Sequence, residues 1–125
     1  MKILPDVVIQ AWEERDSVPV LTTVAPDGTP NSIYVRIVGL HDSGTIIIAN
    51  NKFDKTKGNI LAGCRAALLF LTKGKKAYQI KGSIELQESG PLFDEMKKIN
   101  PPEYPGHSVA VLRVEEVYCG AEKLA

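Results

Sequence analysis

The residues from Asn50 to Asn59 hold the side chains whose types and order best suit chemistry on a ligand. Asn50 and Asn51 leave an apolar, β-branched run, Asp54 stands where it could cap a helix, and Lys55 and Thr56 open that helix. A phosphate monoester carries about two negative charges at neutral pH. A lysine, a hydroxyl and backbone N–H groups at a helix start can all answer that charge. Asp54 opposes it, because a capping carboxylate competes for the same N–H groups and repels an anion. Phosphate binding here would therefore rest on the Lys55 and Thr56 side chains. The same stretch also reads as an ordinary polar loop that caps a helix and leaves its lysines in water.

Elsewhere the sequence offers no catalytic set, so no catalytic side chain and no metal ligand is assigned. His41 stands beside a turn and His107 follows a proline-rich loop; neither has the cysteine or carboxylate pattern of a triad or zinc site, and both read as surface residues. Cys64 and Cys119 are far apart and form no CxxC pair. GxGxxG and GxxxxGK[ST] are absent, and Lys73-Gly74-Lys75-Lys76 is a solvated hairpin turn without the upstream glycine of a phosphate loop. Glu13-Glu14 and Glu115-Glu116 read as surface charge.

The elements that must position these residues are mostly strands. Val7, Val8, Ala11 and Trp12 share a helical face between Pro5 and Arg15. A strand from Val18 to Ala25 ends at Pro26-Asp27-Gly28-Thr29 and returns as a strand from about Pro30 to Val38, with apolar residues on both faces. Thr45 to Ala49 reads as a buried strand, followed by the polar stretch and a short helix that stops at Gly63. The runs Ala66–Leu71 and Ala77–Leu86 form a second hairpin, with Gly82 marking a bulge or bend. Pro91 opens a third short helix carrying Leu92, Phe93, Met96 and Ile99, and a last strand runs from Ser108 to Tyr118. Tight hairpins join antiparallel neighbours, and closure removes exposed edges. The expectation is a mainly β protein with short helices, a six-stranded antiparallel split β-barrel of Greek-key type.

Composition limits the partners. Lysine and arginine number 15, as do aspartate and glutamate, so no global field attracts nucleic acid or an anionic membrane. A hydrophobic content of 44% over 125 residues suits a single domain, 1–125, burying roughly two thirds of its unfolded surface. No run reaches the roughly 18 apolar residues of a membrane span, and the first residues lack the apolar segment of a secretion signal. The expected setting is soluble, reduced and cytoplasmic.

Leu21-Thr22-Thr23-Val24-Ala25-Pro26-Asp27-Gly28-Thr29-Pro30-Asn31, then Ile46-Ile47-Ile48-Ala49-Asn50-Asn51, then Lys55-Thr56-Lys57-Gly58-Asn59-Ile60, together resemble the pyridoxamine 5′-phosphate oxidase-like FMN-binding split-barrel family. Tyr78-Gln79-Ile80-Lys81-Gly82 continues the resemblance, which covers roughly Val18 to Leu86. It implies a homodimer with FMN in a groove at the interface. Lys55 and Thr56 would take the phosphate, while Ser32, Tyr34, Val35, Arg36, Ala49, Asn50 and Asn51 would border the ring and ribityl chain. The implied function is a flavin-dependent oxidoreductase or electron carrier acting with an unknown redox partner or small-molecule substrate. The alternative is a non-catalytic module holding flavin, deazaflavin or haem. Oxidation of pyridoxamine phosphate itself is not expected: the arginines are only Arg15, Arg36, Arg65 and Arg113, and the chain's last segment is acidic.

Overall fold

Val8, Ala11 and Trp12 form the buried face of helix α1 (Asp6–Glu13) in the computed structural model, which describes residues 3–125. Val7, assigned to that face by spacing, is 52% exposed at its edge. Strands β1 (Val20–Val24) and β2 (Pro30–Tyr34) form the first hairpin, whose turn uses Gly28 at φ +91°. Then come β3 (Val38–Asp42), β4 (Thr45–Asn50), α2 (Lys55–Leu61), β5 (Arg65–Leu71) and β6 (Ala77–Gln87). Helix α3 (Pro91–Ile99), β7 (Ser108–Cys119) and the short β8 (Glu122–Lys123) complete the order.

Every strand pair is antiparallel, and the sheet runs β2-β1-β5-β6-β7-β4-β3, with β8 beside β7. The two edge strands, β2 and β3, are consecutive in sequence and joined only by Val35, Arg36 and Ile37. In a flat sheet, strand spacings of roughly 4.8 Å would set those edges about 29 Å apart. The linking backbone reaches at most about 14 Å, so the sheet must curl until its edges face each other. The linking residues stitch that seam: the Val35 N–H donates to the Pro19 carbonyl at 2.9 Å, and the Ala49 N–H donates to the Ile37 carbonyl at 3.0 Å. The result is a split barrel.

The described residues hold eight strands instead of the expected six. One addition is β8; the other is β3, because the strand expected from Pro30 to Val38 ends at Tyr34 and a separate strand takes Val38–Asp42, where none was expected beyond Val38. Ile33 pairs opposite Leu21 of β1, whereas Val38 pairs opposite Ile48 of β4. The apolar residues on both faces of that stretch thus mark a change of partner.

The main core lies inside the barrel and includes Leu21, Ile46, Ile48, Leu68, Ile80 and Leu112. Trp12 packs edge-on against Phe70, with centroids 5.3 Å apart, and Phe70 stacks on Tyr78 at 5.6 Å. A smaller cluster outside the barrel sets Ile47, Ala49, Val109 and Val111 against Met96 of α3. Strand β4 is therefore buried on both faces, which explains its unbroken apolar run. At Gly82 the β6–β7 register shifts, and a Cβ there would stand 1.8 Å from the Arg113 carbonyl oxygen. No described helix is long and apolar enough to cross a membrane.

Candidate functional site

The seam and the end of β4 open onto one cleft of about 380 Å³. Its apolar walls are Ile33, Val35, Ile37, Ala49, Phe53 and Pro105. Tyr34, Arg36, Asn51, Lys52 and Tyr104 supply the polar groups. No carboxylate lines it, so its only formal charges are the Arg36 guanidinium and the Lys52 ammonium.

Backbone bonds on both sides of the seam fix Val35 and Ile37, and the side chains alternate about them. Val35 is buried, Arg36 is exposed, and Tyr34 is 75% exposed on the rim. At the end of β4, Asn50 is committed to the fold: its Nδ2 donates to Ser108 Oγ at 2.9 Å and its Oδ1 accepts from the Phe53 N–H at 3.0 Å. Asn51 forms a reciprocal amide pair with Asn100, at 2.9 and 3.1 Å, and its Oδ1 also accepts from the Gly106 N–H at 2.9 Å. That cluster pins the loop after α3, which brings Tyr104 and Pro105 to the cleft. Gly106 has φ +53°, and a Cβ on it would come within 2.9 Å of Asn100 Nδ2.

Helix α2 begins beyond this cleft. Lys55 is exposed, while Thr56 is 1% exposed and its Oγ1 accepts from Asn31 Nδ2 at 3.0 Å. Asn59 Nδ2 donates to Thr23 Oγ1, tying the helix to β1. Asp54 occupies the N-cap position but makes no side-chain capping bond, so the competition expected from its carboxylate does not take that form. The Ser32 hydroxyl shares a 2.8 Å hydrogen bond with Thr22 on the barrel surface.

Of the sequence-derived candidates, Tyr34, Val35, Arg36, Ala49 and Asn51 come together around one cleft; Ser32, Asn50, Lys55 and Thr56 do not line it. Sequence reasoning did not single out Ile33, Ile37, Lys52, Phe53, Tyr104 or Pro105 as site residues. Lys52 and Phe53 lay within the polar stretch already marked, whereas nothing local marks Tyr104 and Pro105. The two histidines are exposed, and His41 has a partner that its neighbours in sequence conceal: Nδ1 lies 2.8 Å from Glu95 Oε1 of α3. Cys64 and Cys119 are free thiols.

A family model described as pyridoxamine 5′-phosphate oxidase matches residues 7–119. The uncharacterised protein MJ0282 of Methanocaldococcus jannaschii is 28% identical over 123 residues, covering 90% of this chain and 83% of that protein. HupZ from Group A Streptococcus has a similar structure, with a TM-score of 0.75 at 24% identity over 86% of this chain and 91% of that one. An FMN-binding protein from Syntrophomonas wolfei gives a TM-score of 0.69 at 21% identity, over 93% of this chain and 92% of the other. Proteins named F420 reductase and haem-binding protein, the latter from Mycobacterium smegmatis, share the fold at TM-scores of 0.65 and 0.69. They are 19% and 18% identical, and the matches cover 84% and 87% of this chain and 91% and 50% of theirs.

Proposed function

Because the chain belongs to the pyridoxamine 5′-phosphate oxidase family, we propose that it binds FMN beside the barrel seam and serves as a flavin-dependent oxidoreductase or electron carrier. The observation that carries this reading is the cleft itself: apolar walls for a flat ring and formal charges that are all cationic, in a chain whose charges balance at 15 each. Its volume of about 380 Å³ falls within the roughly 300–1,000 Å³ of small-molecule sites. The residues present fit the group.

Val35 and Ala49 would hold the ring through apolar contact, with Tyr34 and Tyr104 beside them in the cleft. Arg36 and Lys52 supply positive charge, while Asn51 holds the loop that carries Tyr104 and Pro105. The phosphate falls to Lys55 and Thr56. Thr56 Oγ1 already accepts a hydrogen bond from Asn31, so its own proton would be the one available to a phosphate oxygen. Bound flavin supplies the redox chemistry, which is why such a protein can work without a catalytic constellation of side chains. The protein's part is to bind, orient and shield.

The same reading makes the protein a homodimer. Tyr34 on the open side of the cleft is 75% exposed, and Val24, Leu61 and Leu69 add exposed apolar surface elsewhere. A second copy set against the cleft would enclose the ligand from two sides. A reducing, cytoplasmic setting agrees with two free thiols.

The visible absorption spectrum of the freshly purified protein tests the ligand. Two flavin bands are expected. A dominant Soret band would replace FMN by haem, and a colourless protein that stays colourless after incubation with FMN and desalting would contradict flavin binding.

A further inference from the structure

A second cleft, of about 520 Å³, lies between the end of α1 and the seam, and Arg36 lines it as well as the first. Trp12, Arg15 and Arg36 are its distinctive side chains. Of the four arginines, Arg65 pairs with Glu115 and Glu116, and Arg113 pairs with Glu85. Arg15 and Arg36 have no ion pair among the described residues. The two arginines without a carboxylate partner therefore line the same cleft.

Arg15 is held in place. Its guanidinium carbon lies 4.1 Å from the Trp12 ring centroid, and its Nη1 donates to the Trp12 carbonyl at 3.1 Å. Trp12 in turn rests on Phe70. The backbone beside Arg15 is bolted to the β5–β6 hairpin, with the Asp16 N–H donating to the Leu71 carbonyl and the Lys73 N–H to the Glu14 carbonyl. Burial lowers the pKa of this guanidinium, against a smaller upward pull from Glu13. A stacked, partly desolvated guanidinium with most of its donors free is arranged to receive an oxyanion. Glu13 and Asp16 also line the cleft, so two cationic and two acidic side chains leave it formally neutral. That balance favours a monoanion over a phosphate dianion.

We propose that this cleft binds a small organic carboxylate between Arg15 and Arg36. Since Arg36 stands on the wall shared with the first cleft, the carboxylate anchors the substrate of the flavin reaction. That assignment of role rests on the flavin reading; the binding itself does not.

Trp12 is the chain's sole tryptophan and lines this cleft, so its emission in flavin-free protein responds to occupancy there, and calorimetry reads the FMN-loaded protein. Benzoate, phenyl phosphate and inorganic phosphate are titrated at constant ionic strength into flavin-free and FMN-loaded protein, by emission and by calorimetry. Benzoate is expected to bind flavin-free protein and to bind more tightly than phenyl phosphate or inorganic phosphate. Arg15→Gln and Arg36→Gln should each raise its half-saturating concentration about tenfold or more. Arg65→Gln should leave it within about twofold. Arg15→Lys, which keeps the charge but not the planar fork, guards against misfolding: it should retain the wild-type circular dichroism and still bind benzoate more weakly. Benzoate binding with no FMN binding would sink the flavin reading and spare the site. The proposal is overturned if benzoate does not bind, if all variants respond alike, if either phosphate probe binds more tightly, or if FMN displaces benzoate from the cleft.

Discussion

Asn51 shows how much of this site depends on one side chain. Its amide makes three hydrogen bonds, two with Asn100 and one from Gly106, and none of the three reaches across the cleft. Asn51→Ala should therefore act through the loop that carries Tyr104 and Pro105. It should lower stability by about 1–3 kcal/mol, the cost of leaving partly buried partners unmatched, and weaken FMN by releasing that loop. Urea denaturation and an FMN titration measure both effects, and unchanged stability would show that the cluster does not hold the loop. Lys55 makes a simpler case. A charge-assisted phosphate contact contributes roughly 1.5–3 kcal/mol, or about 10- to 100-fold in affinity, whereas a solvated hairpin lysine contributes little. Lys55→Ala should weaken FMN by that factor and Lys75→Ala by no more than about twofold. Equal losses would remove Lys55 from the phosphate site.

At the scale of elements, the β6–β7 bulge is the most constrained feature. A methyl group at Gly82 has no room beside the Arg113 carbonyl, so Gly82→Ala must push two central strands apart. The expected loss is about 3 kcal/mol or more, read from urea or thermal melts; a loss under about 1 kcal/mol would mean that the register shift absorbs the methyl group. Sequence reading located this bulge because a glycine inside a strand has few other uses. It also located both hairpins, whose turns carry Pro26-Asp27-Gly28 and Gly74, and α3, which begins at Pro91. It missed the seam, because the alternation of Ile33, Val35 and Ile37 with Tyr34, Arg36 and Val38 continues while the partner strand changes from β1 to β4. That change is a non-local fact with no local mark. The cleft was half legible for the same reason. Tyr34, Val35, Arg36, Ala49 and Asn51 are marked through the family resemblance, but Tyr104 and Pro105 arrive through an amide pair spanning 49 positions.

At the scale of the whole molecule, the proposed homodimer would cover the side of the cleft where Tyr34 is exposed. Light scattering at micromolar concentration with FMN present should give the mass of two chains, twice 13.7 kDa; a monomer that still binds FMN tightly would defeat the shared-groove reading. The charge distribution bears on substrate choice in the same way. Among the described residues only Arg15 and Arg36 of the arginines are free of ion pairs, and the acidic side chains Glu13 and Asp16 line the same cleft, a poor setting for a substrate phosphate. The FMN-loaded protein should not convert pyridoxamine phosphate to pyridoxal phosphate in oxygenated buffer, and turnover near one per second or faster would restore the oxidase assignment. The proposed site takes one terminal-phosphate flavin, with its ring at the seam cleft and its phosphate beyond it at Lys55 and Thr56. Calorimetric titration of the flavin-free protein with FMN and with FAD tests it most directly. The expected result is one saturable FMN site per chain with clearly weaker FAD binding, because no second nucleotide-binding glycine-rich turn is present. Equal affinity for the two flavins, or heat from neither, would contradict it.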